Sequence, residues 1–139
     1  MAERDPGRGL IDTSVVIDLD RVDHDDLPAE VAISAITLVE LAAGPHATGN
    51  AEERARRQDR LQRAEATFEA IPFGSDAARA FGRIYSSVVA GGRKARGYRS
   101  LDLLIAATAL ATDVPLFTRN ENDLRGLREL LPIHAVGLT

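Results

Sequence analysis

Gly9-Leu10-Ile11-Asp12-Thr13-Ser14-Val15-Val16-Ile17-Asp18-Leu19 is the stretch whose reading decides the fold. Leu10 and Ile11 form an apolar run that breaks off at Asp12. Two hydroxyl residues follow, and apolar residues resume at Val15, Val16, Ile17 and Leu19. The pattern predicts a short buried strand that stops at Asp12 and turns directly into a helix. A carboxylate at the carboxyl end of an inner strand stands where open α/β sheets keep their ligands.

Working outward, an acidic turn from Asp20 to Asp26 is closed by Pro28 and reads as a solvated loop. Val31 to Ser34 is a short β-rich run. A helix beginning at Thr37 and carrying Glu40 ends near Gly44-Pro45, a helix-stop pair. Ala51 to Glu69 has Arg54, Arg57, Leu61, Ala64 and Phe68 at helical spacing, which predicts a long amphipathic helix with an arginine-rich outer face. Ala70 to Phe73 is a brief strand whose Pro72 suits a sheet edge. Ser75 is read as the cap of a helix to about Ala90, with Ala78, Phe81, Ile84, Tyr85 and Val88 on its inner stripe. A basic, glycine-bearing loop from Gly91 to Arg99 leads to Ser100 and a helix, Leu101 to Thr112, apolar nearly all round and so predicted to be buried. Val114 to Thr118 is a strand, a short helix starts at Glu121, and a last strand falls near Ile133 to Val136. Strands alternating with helices imply an α/β fold: a parallel sheet of four to five strands, right-handed crossovers and helices on both faces.

The 139 residues suffice for one domain with a core of its own, preceded by a flexible tail over residues 1–8. There are no cysteines, which excludes disulfides, thiolate zinc sites and cysteine nucleophiles and is compatible with a reducing cytoplasm. No run of about 18 apolar residues is present, so no membrane span is expected, and the opening Met1 to Gly9 does not read as a signal peptide. A net charge of -4 argues against a uniformly basic surface without excluding nucleic acid, because the distribution of charge matters more than its sum. Lys94 is the only lysine; the arginine-rich basic set suits phosphate contacts and equally fits a bias of genomic base composition.

Four acidic residues, Asp12, Glu40, Asp102 and Asp123, stand at strand ends or helix starts. Taken singly, each has a structural explanation. Asp12 caps the first helix. Thr37 and Glu40 match a capping box. Ser100 caps the buried helix with Asp102 in its first turn, and Asn120 and Asp123 repeat the cap-plus-three spacing. Taken together, helix starts after the strands of a doubly wound sheet gather at one edge, so the four acids would crowd into one cleft. Their repulsion is offset if a hard divalent cation, which prefers oxygen ligands, sits among them. Thr13, Ser14, Thr118 and Asn120 flank the acids and would orient them or the metal's waters. His24, His46 and His134 are scattered, no serine lies in a nucleophile elbow, and no glycine-rich phosphate loop follows a strand. The chemistry left is attack by metal-activated water, in line on a phosphodiester, releasing the 3′ oxygen and leaving a 5′-phosphate.

The ordered combination of Leu10-Ile11-Asp12-Thr13-Ser14-Val15 with the segments ITLVELAAG around Glu40, SLDLLIAATAL around Asp102 and LFTRNENDLRGL around Asp123 resembles the PIN domain, and within it the VapC toxins of bacterial toxin–antitoxin pairs. The likeness runs from Leu10 to about Val136. The resemblance implies an α/β/α sandwich with an acidic cleft for Mg²⁺ or Mn²⁺, and an endoribonuclease that arrests growth by cutting RNA needed for translation, tRNA or rRNA. It makes Asp12, Glu40, Asp102 and Asp123 the metal-binding catalytic acids, with Thr118 and Asn120 in a supporting segment. It further implies a homodimer, silenced in the cytoplasm by a small VapB-type antitoxin that often inserts a basic side chain into the cleft. Leu124 stands where the family usually has an aromatic residue, a departure that touches packing more than chemistry.

Arg93, Lys94, Arg96 and Arg99, with Tyr98 among them, would hold phosphate and stack a base; as a solvated loop made mobile by its glycines they need no ligand. Two other readings are carried beside the toxin: a PIN-fold module that binds RNA or a partner without turnover, and a housekeeping RNA-processing PIN nuclease. A phosphohydrolase using Asp12 as a covalent nucleophile wants a second acid close after the first, and Ser14 holds that place.

Overall fold

In the computed structural model, which describes residues 7–91 and 100–139, five strands form one sheet in the order β3-β2-β1-β4-β5, every neighbouring pair parallel. They are β1 (Arg8–Ile11), β2 (Glu30–Ser34), β3 (Glu69–Ile71), β4 (Leu116–Thr118) and β5 (Ile133–Ala135). The helices are α1 (Thr13–Ile17), α2 (Ala35–Ala43), α3 (Ala51–Thr67), α4 (Ser75–Ala90) and α5 (Ser100–Thr112), with a 3₁₀ segment at Glu121–Leu127 after β4. This is the α/β sandwich expected from the alternation of the sequence, and it holds the upper number of strands.

Successive residues of β1 serve opposite layers, as strand geometry requires. Leu10 joins Ile84, Val88, Leu103, Ile105, Leu116 and Ile133, the layer built on α4 and α5. Ile11 joins Val15, Val16, Val22, Ile33, Leu41, Ala64 and Val136, the layer built on α1, α2 and α3. Each fully buried leucine or isoleucine contributes about 1.5–3 kcal/mol, so the sheet is clamped from both sides. Gly9 is required where Phe117 crosses it, since a Cβ there would lie 2.8 Å from the ring's Cδ1.

Several boundaries and facings differ from the sequence reading. Arg8, assigned to the tail, already opens β1, and the carbonyl of Gly7 in the turn before it accepts from Glu30 N–H at 2.6 Å. Helix α2 starts earlier than the Thr37–Glu40 capping box suggests, because the Ser34 hydroxyl caps it by accepting from Ile36 N–H at 3.0 Å. Thr37 is therefore an interior helical residue, fully buried. Gly74, not Ser75, caps α4. Its inner stripe is Ala77, Ala80, Ile84 and Val88, which leaves Ala78 and Tyr85 exposed. The stripe is rotated by one residue at its start from the expected one, because alanines occupy both faces of the first turns and apolar pattern alone does not choose between them. Strand β3 begins one residue earlier and stops before Pro72, which has no N–H to give to the ladder. No helix among the described residues is long and apolar enough to cross a membrane.

Strands β1, β2 and β3 run outward to one side and β4 and β5 to the other, so the strand order reverses between β1 and β4. Asp12 at the end of β1 and Thr118 at the end of β4 meet at that reversal, where the parting crossovers leave a crevice.

Candidate active site

Asp12 is held through both its backbone and its side chain. Its amide donates to the Phe117 carbonyl at 3.0 Å, which ties the end of β1 to β4. Its backbone is still extended while Val15 N–H donates to its Oδ1 at 3.2 Å, so it is the N-cap of α1, as the sequence proposes. Ser14 donates to the same oxygen at 2.5 Å, and the Thr118 hydroxyl also bonds the carboxylate. Asp12 is 6% exposed. Burial raises its pKa above the ordinary carboxylate value, against the lowering effect of the Ser14, Thr118 and backbone donors.

Ser14 is in turn held from β4. Its oxygen accepts the Arg119 backbone N–H at 3.1 Å. The Arg119 guanidinium is fastened to Asp18, just past the end of α1, and Arg21 shares the same carboxylate. These two arginines, Arg21 first, lower the Asp18 pKa. Asp18, Arg119, Ser14 and Asp12 thus form one chain of contacts. The sequence reading does not single out Asp18 or Arg119; the available signal is the position of Arg119 between Thr118 and Asn120 in the TRN segment.

Glu40 is reached from the other side. Thr13, the residue after Asp12, donates to Glu40 Oε1 at 2.7 Å, and its hydroxyl is 3.0 Å from that of Thr37. Thr37 and Glu40 are neighbours on one face of α2, and Thr13 of α1 meets both. Thr118 is fully buried and accepts Asn120 N–H at 3.0 Å. Asn120 itself is exposed and gives no side-chain cap to the 3₁₀ segment, where a cap was expected. Asp102 lies in the first turn of α5, half-buried, and Asp123 on the 3₁₀ segment, exposed. Arg93, Lys94, Arg96 and Arg99 lie outside the described residues.

Hydrogen bonds join Asp12 to Ser14 and Thr118, and Glu40 to Thr13, on two adjacent residues of one turn. Among the described residues no three Asp, Glu or His side chains are close enough together to hold an ion. The donor chemistry nonetheless fits a hard divalent cation: carboxylate oxygens, a buried anion whose ionisation is costly, and hydroxyls that fix its orientation. A cavity of about 460 Å³ between α1 and α3 does not include Asp12; a smaller one, about 330 Å³, is lined by Thr13 and Glu40.

The family model of the PIN domain matches residues 10–130. Ribonuclease VapC5 of Mycobacterium tuberculosis is 33% identical over 120 residues, 84% of this chain and 86% of that protein. Ribonuclease VapC8 of the same species is 37% identical over 110 residues, 78% of this chain and 96% of that protein. Among solved structures, a member of the VapBC family of toxin–antitoxin systems, VapBC-5 from Mycobacterium tuberculosis, superposes with a TM-score of 0.82 at 32% identity, covering 96% of this chain and all of that one (100%). VapBC2 from Rickettsia felis, bound to a DNA fragment from its promoter, shares the fold with a TM-score of 0.70 at 19% identity, covering 93% of this chain and 98% of that one. With the acid-bearing strand, the reversal of strand order and these relatives in agreement, the chain belongs to the PIN-domain family and, within it, to the VapC ribonucleases.

Proposed function

We propose that this chain is the toxin of a toxin–antitoxin pair, an endoribonuclease dependent on Mg²⁺ or Mn²⁺ that cuts RNA needed for translation in the cytoplasm and is silenced by a small VapB-type antitoxin. The observation that carries the reading is Asp12: a buried carboxylate at the strand-order reversal, held by Ser14, Thr118 and the Val15 amide. The relatives are named as ribonucleases and as members of toxin–antitoxin complexes, which supports the same activity and partner here. A homodimer belongs to this proposal.

We propose Asp12, Glu40, Asp102 and Asp123 as the ligands of the cation, although among the described residues no three of them are gathered around one point, with Thr13 and Thr118 as the hydroxyls that orient Glu40 and Asp12. The chemistry such an ion would supply when held there is a lowered pKa for bound water and neutralisation of charge on the departing 3′ oxygen. The chain's own contribution is orientation. Ser14 and the Val15 amide fix the rotation of the Asp12 carboxylate, and Thr13 fixes that of Glu40. Two acids held on different elements, one after β1 and one within α2, preserve their spacing only while α1 and α2 stay packed; a misplacement of about 1 Å can cost roughly 10²-fold in rate.

The test is cleavage of total cellular RNA by purified protein free of antitoxin, with and without Mg²⁺ or Mn²⁺, beside Asp12→Asn. A discrete metal-dependent fragment with a 5′-phosphate, lost in the variant, is the expected result. Folded protein that leaves RNA intact in both metals refutes the proposal and favours a module that binds without turnover.

A further inference from the structure

Helix α3 carries five arginines, and four of them have an intramolecular partner. Arg54 donates to the Pro45 and Thr48 carbonyls, Arg56 to Glu53, Arg57 to Glu53 and the Gly44 carbonyl, and Arg63 pairs with Asp59. Arg60 has none among the described residues, although it is half-buried. It also holds a particular place. The cavity of about 330 Å³ that contains Thr13 and Glu40 and the groove of about 460 Å³ along α1 share two wall residues, Ile17 and Arg60. An uncompensated guanidinium therefore stands at the junction of two cavities, one of which opens on a candidate catalytic acid.

Resting on the ribonuclease reading, we infer that Arg60 is a positioning residue that grips a backbone phosphate of RNA flanking the cut bond. Three physical reasons favour phosphate. RNA approaching Asp12 and Glu40 meets like charge, and the net charge of the chain is -4, so a cation beside the acids is needed to seat the flanking phosphates. Glu53, which lines the same cavity from α3, is already taken up by Arg57 and Arg56, which hold its carboxyl below the ordinary range. The planar fork of arginine matches two phosphate oxygens at once.

The test measures equilibrium binding of a fluorescein-labelled single-stranded oligoribonucleotide of mixed sequence across a salt series, by anisotropy, in an Asp12→Asn background that prevents cutting. Arg60→Ala should weaken binding roughly tenfold and lower the steepness of the log–log salt dependence by about 0.7. Arg60→Lys should keep the slope, because it keeps the charge, with a smaller loss of affinity. Arg79→Ala, which removes an arginine paired with Asp76 on helix α4, outside both cavities, serves as the control for net charge alone. In otherwise wild-type protein, Arg60→Ala should raise KM for RNA cleavage with kcat changed less than about twofold. Unchanged unfolding midpoints verify that each variant is folded. Arg60→Ala that binds RNA with the affinity and slope of Arg79→Ala overturns the inference, including where it weakens the antitoxin complex instead. Because binding is read without turnover, protein that cuts no RNA would refute the ribonuclease reading while these titrations still decide Arg60.

Discussion

Replacing Asp12 with Asn should abolish RNA cleavage and, in metal-free protein, raise the unfolding temperature. Burial is the largest influence on the Asp12 carboxyl and lifts its pKa above 3.8, outweighing the donors around it. A carboxyl whose pKa is higher in the folded chain than in the unfolded one opposes folding when ionised. That penalty is full at neutral pH, shrinks as pH falls through the raised folded value and disappears below the unfolded one. Asn has nearly the same volume, keeps an acceptor oxygen for Ser14 and Val15, and carries no charge. Two terms set the magnitude. Relief of the buried charge is worth on the order of a few kcal/mol. Against it, each donor now bonds a neutral oxygen, a loss of about 1 kcal/mol per bond. With burial the larger, the net gain is about 1 kcal/mol, or roughly 3–5 °C for a chain of this length. Calorimetry at pH 7 in chelator would read it, and the gap between the two proteins should close toward pH 4. Mg²⁺ should reverse the order: about 100-fold excess over its Kd adds about 2.7 kcal/mol to a protein that binds it, and the amide binds a hard cation poorly. If the Asp12→Asn variant were less stable than the parent in chelator, the reasoning would be refuted, since the donors would then stabilise the ionised form by more than burial opposes it.

Ser14→Ala should cost about 1–3 kcal/mol of stability, because it removes the 2.5 Å donor to Asp12 and leaves the Arg119 amide without its acceptor; an unchanged urea midpoint would count against that role. Thr13→Val should lower kcat at least roughly tenfold by releasing Glu40 from its 2.7 Å hydrogen bond, whereas Thr13→Ser, which keeps the hydroxyl, should retain most activity; equal loss in both would assign Thr13 to packing. Asp18, whose carboxyl Arg21 and Arg119 hold below 3.8, should contribute about 1 kcal/mol above the unfolded value, lost as pH falls through the lowered folded one. The stability difference between the parent and Asp18→Asn should therefore be flat at neutral pH and vanish in acid, read by denaturant titration at a series of pH values.

The layers, the strand at Leu10–Ile11 and the buried helix around Ile105 are legible in the sequence because burial on both sides leaves a continuous apolar signature. Asp12 is legible for the opposite reason: its charge breaks off such a run at the end of a strand. Starts and facings are harder. Ser34 and Thr37 are both hydroxyl residues near one helix start, and only the end of β2 decides that Ser34 caps; its oxygen is also 3.0 Å from Thr108 on α5, a contact 74 residues away in sequence that no local pattern contains. Alanine on both sides of α4 hides which face is inward. The Asp18–Arg119 pair spans 101 residues and depends on β4 lying beside β1, which follows from sheet order and not from spacing.

The sequence offers capping and metal binding as rival accounts of the same acids, and at Asp12 the observed cap is an arrangement that would serve the proposed metal as well. A cap fixes a carboxylate by spending hydrogen-bond donors on it. Here Oδ1 takes both the Val15 amide and the Ser14 hydroxyl, so the side chain is locked in rotation before any cation arrives. In the proposed metal site, a ligand that must otherwise be immobilised on binding would already be ordered by folding, which would lower the entropic cost of capturing the ion. At Glu40 the expected cap is absent: Ser34 caps α2, so Glu40 is released from helix initiation and is oriented instead by a hydroxyl from α1. The two acids are therefore preorganised through opposite uses of the same local chemistry, and both depend on the two-residue step Asp12-Thr13, which joins β1 to α1 and touches β4 and α2 together. That step concentrates the site's geometry in the same stretch whose apolar pattern decides the fold.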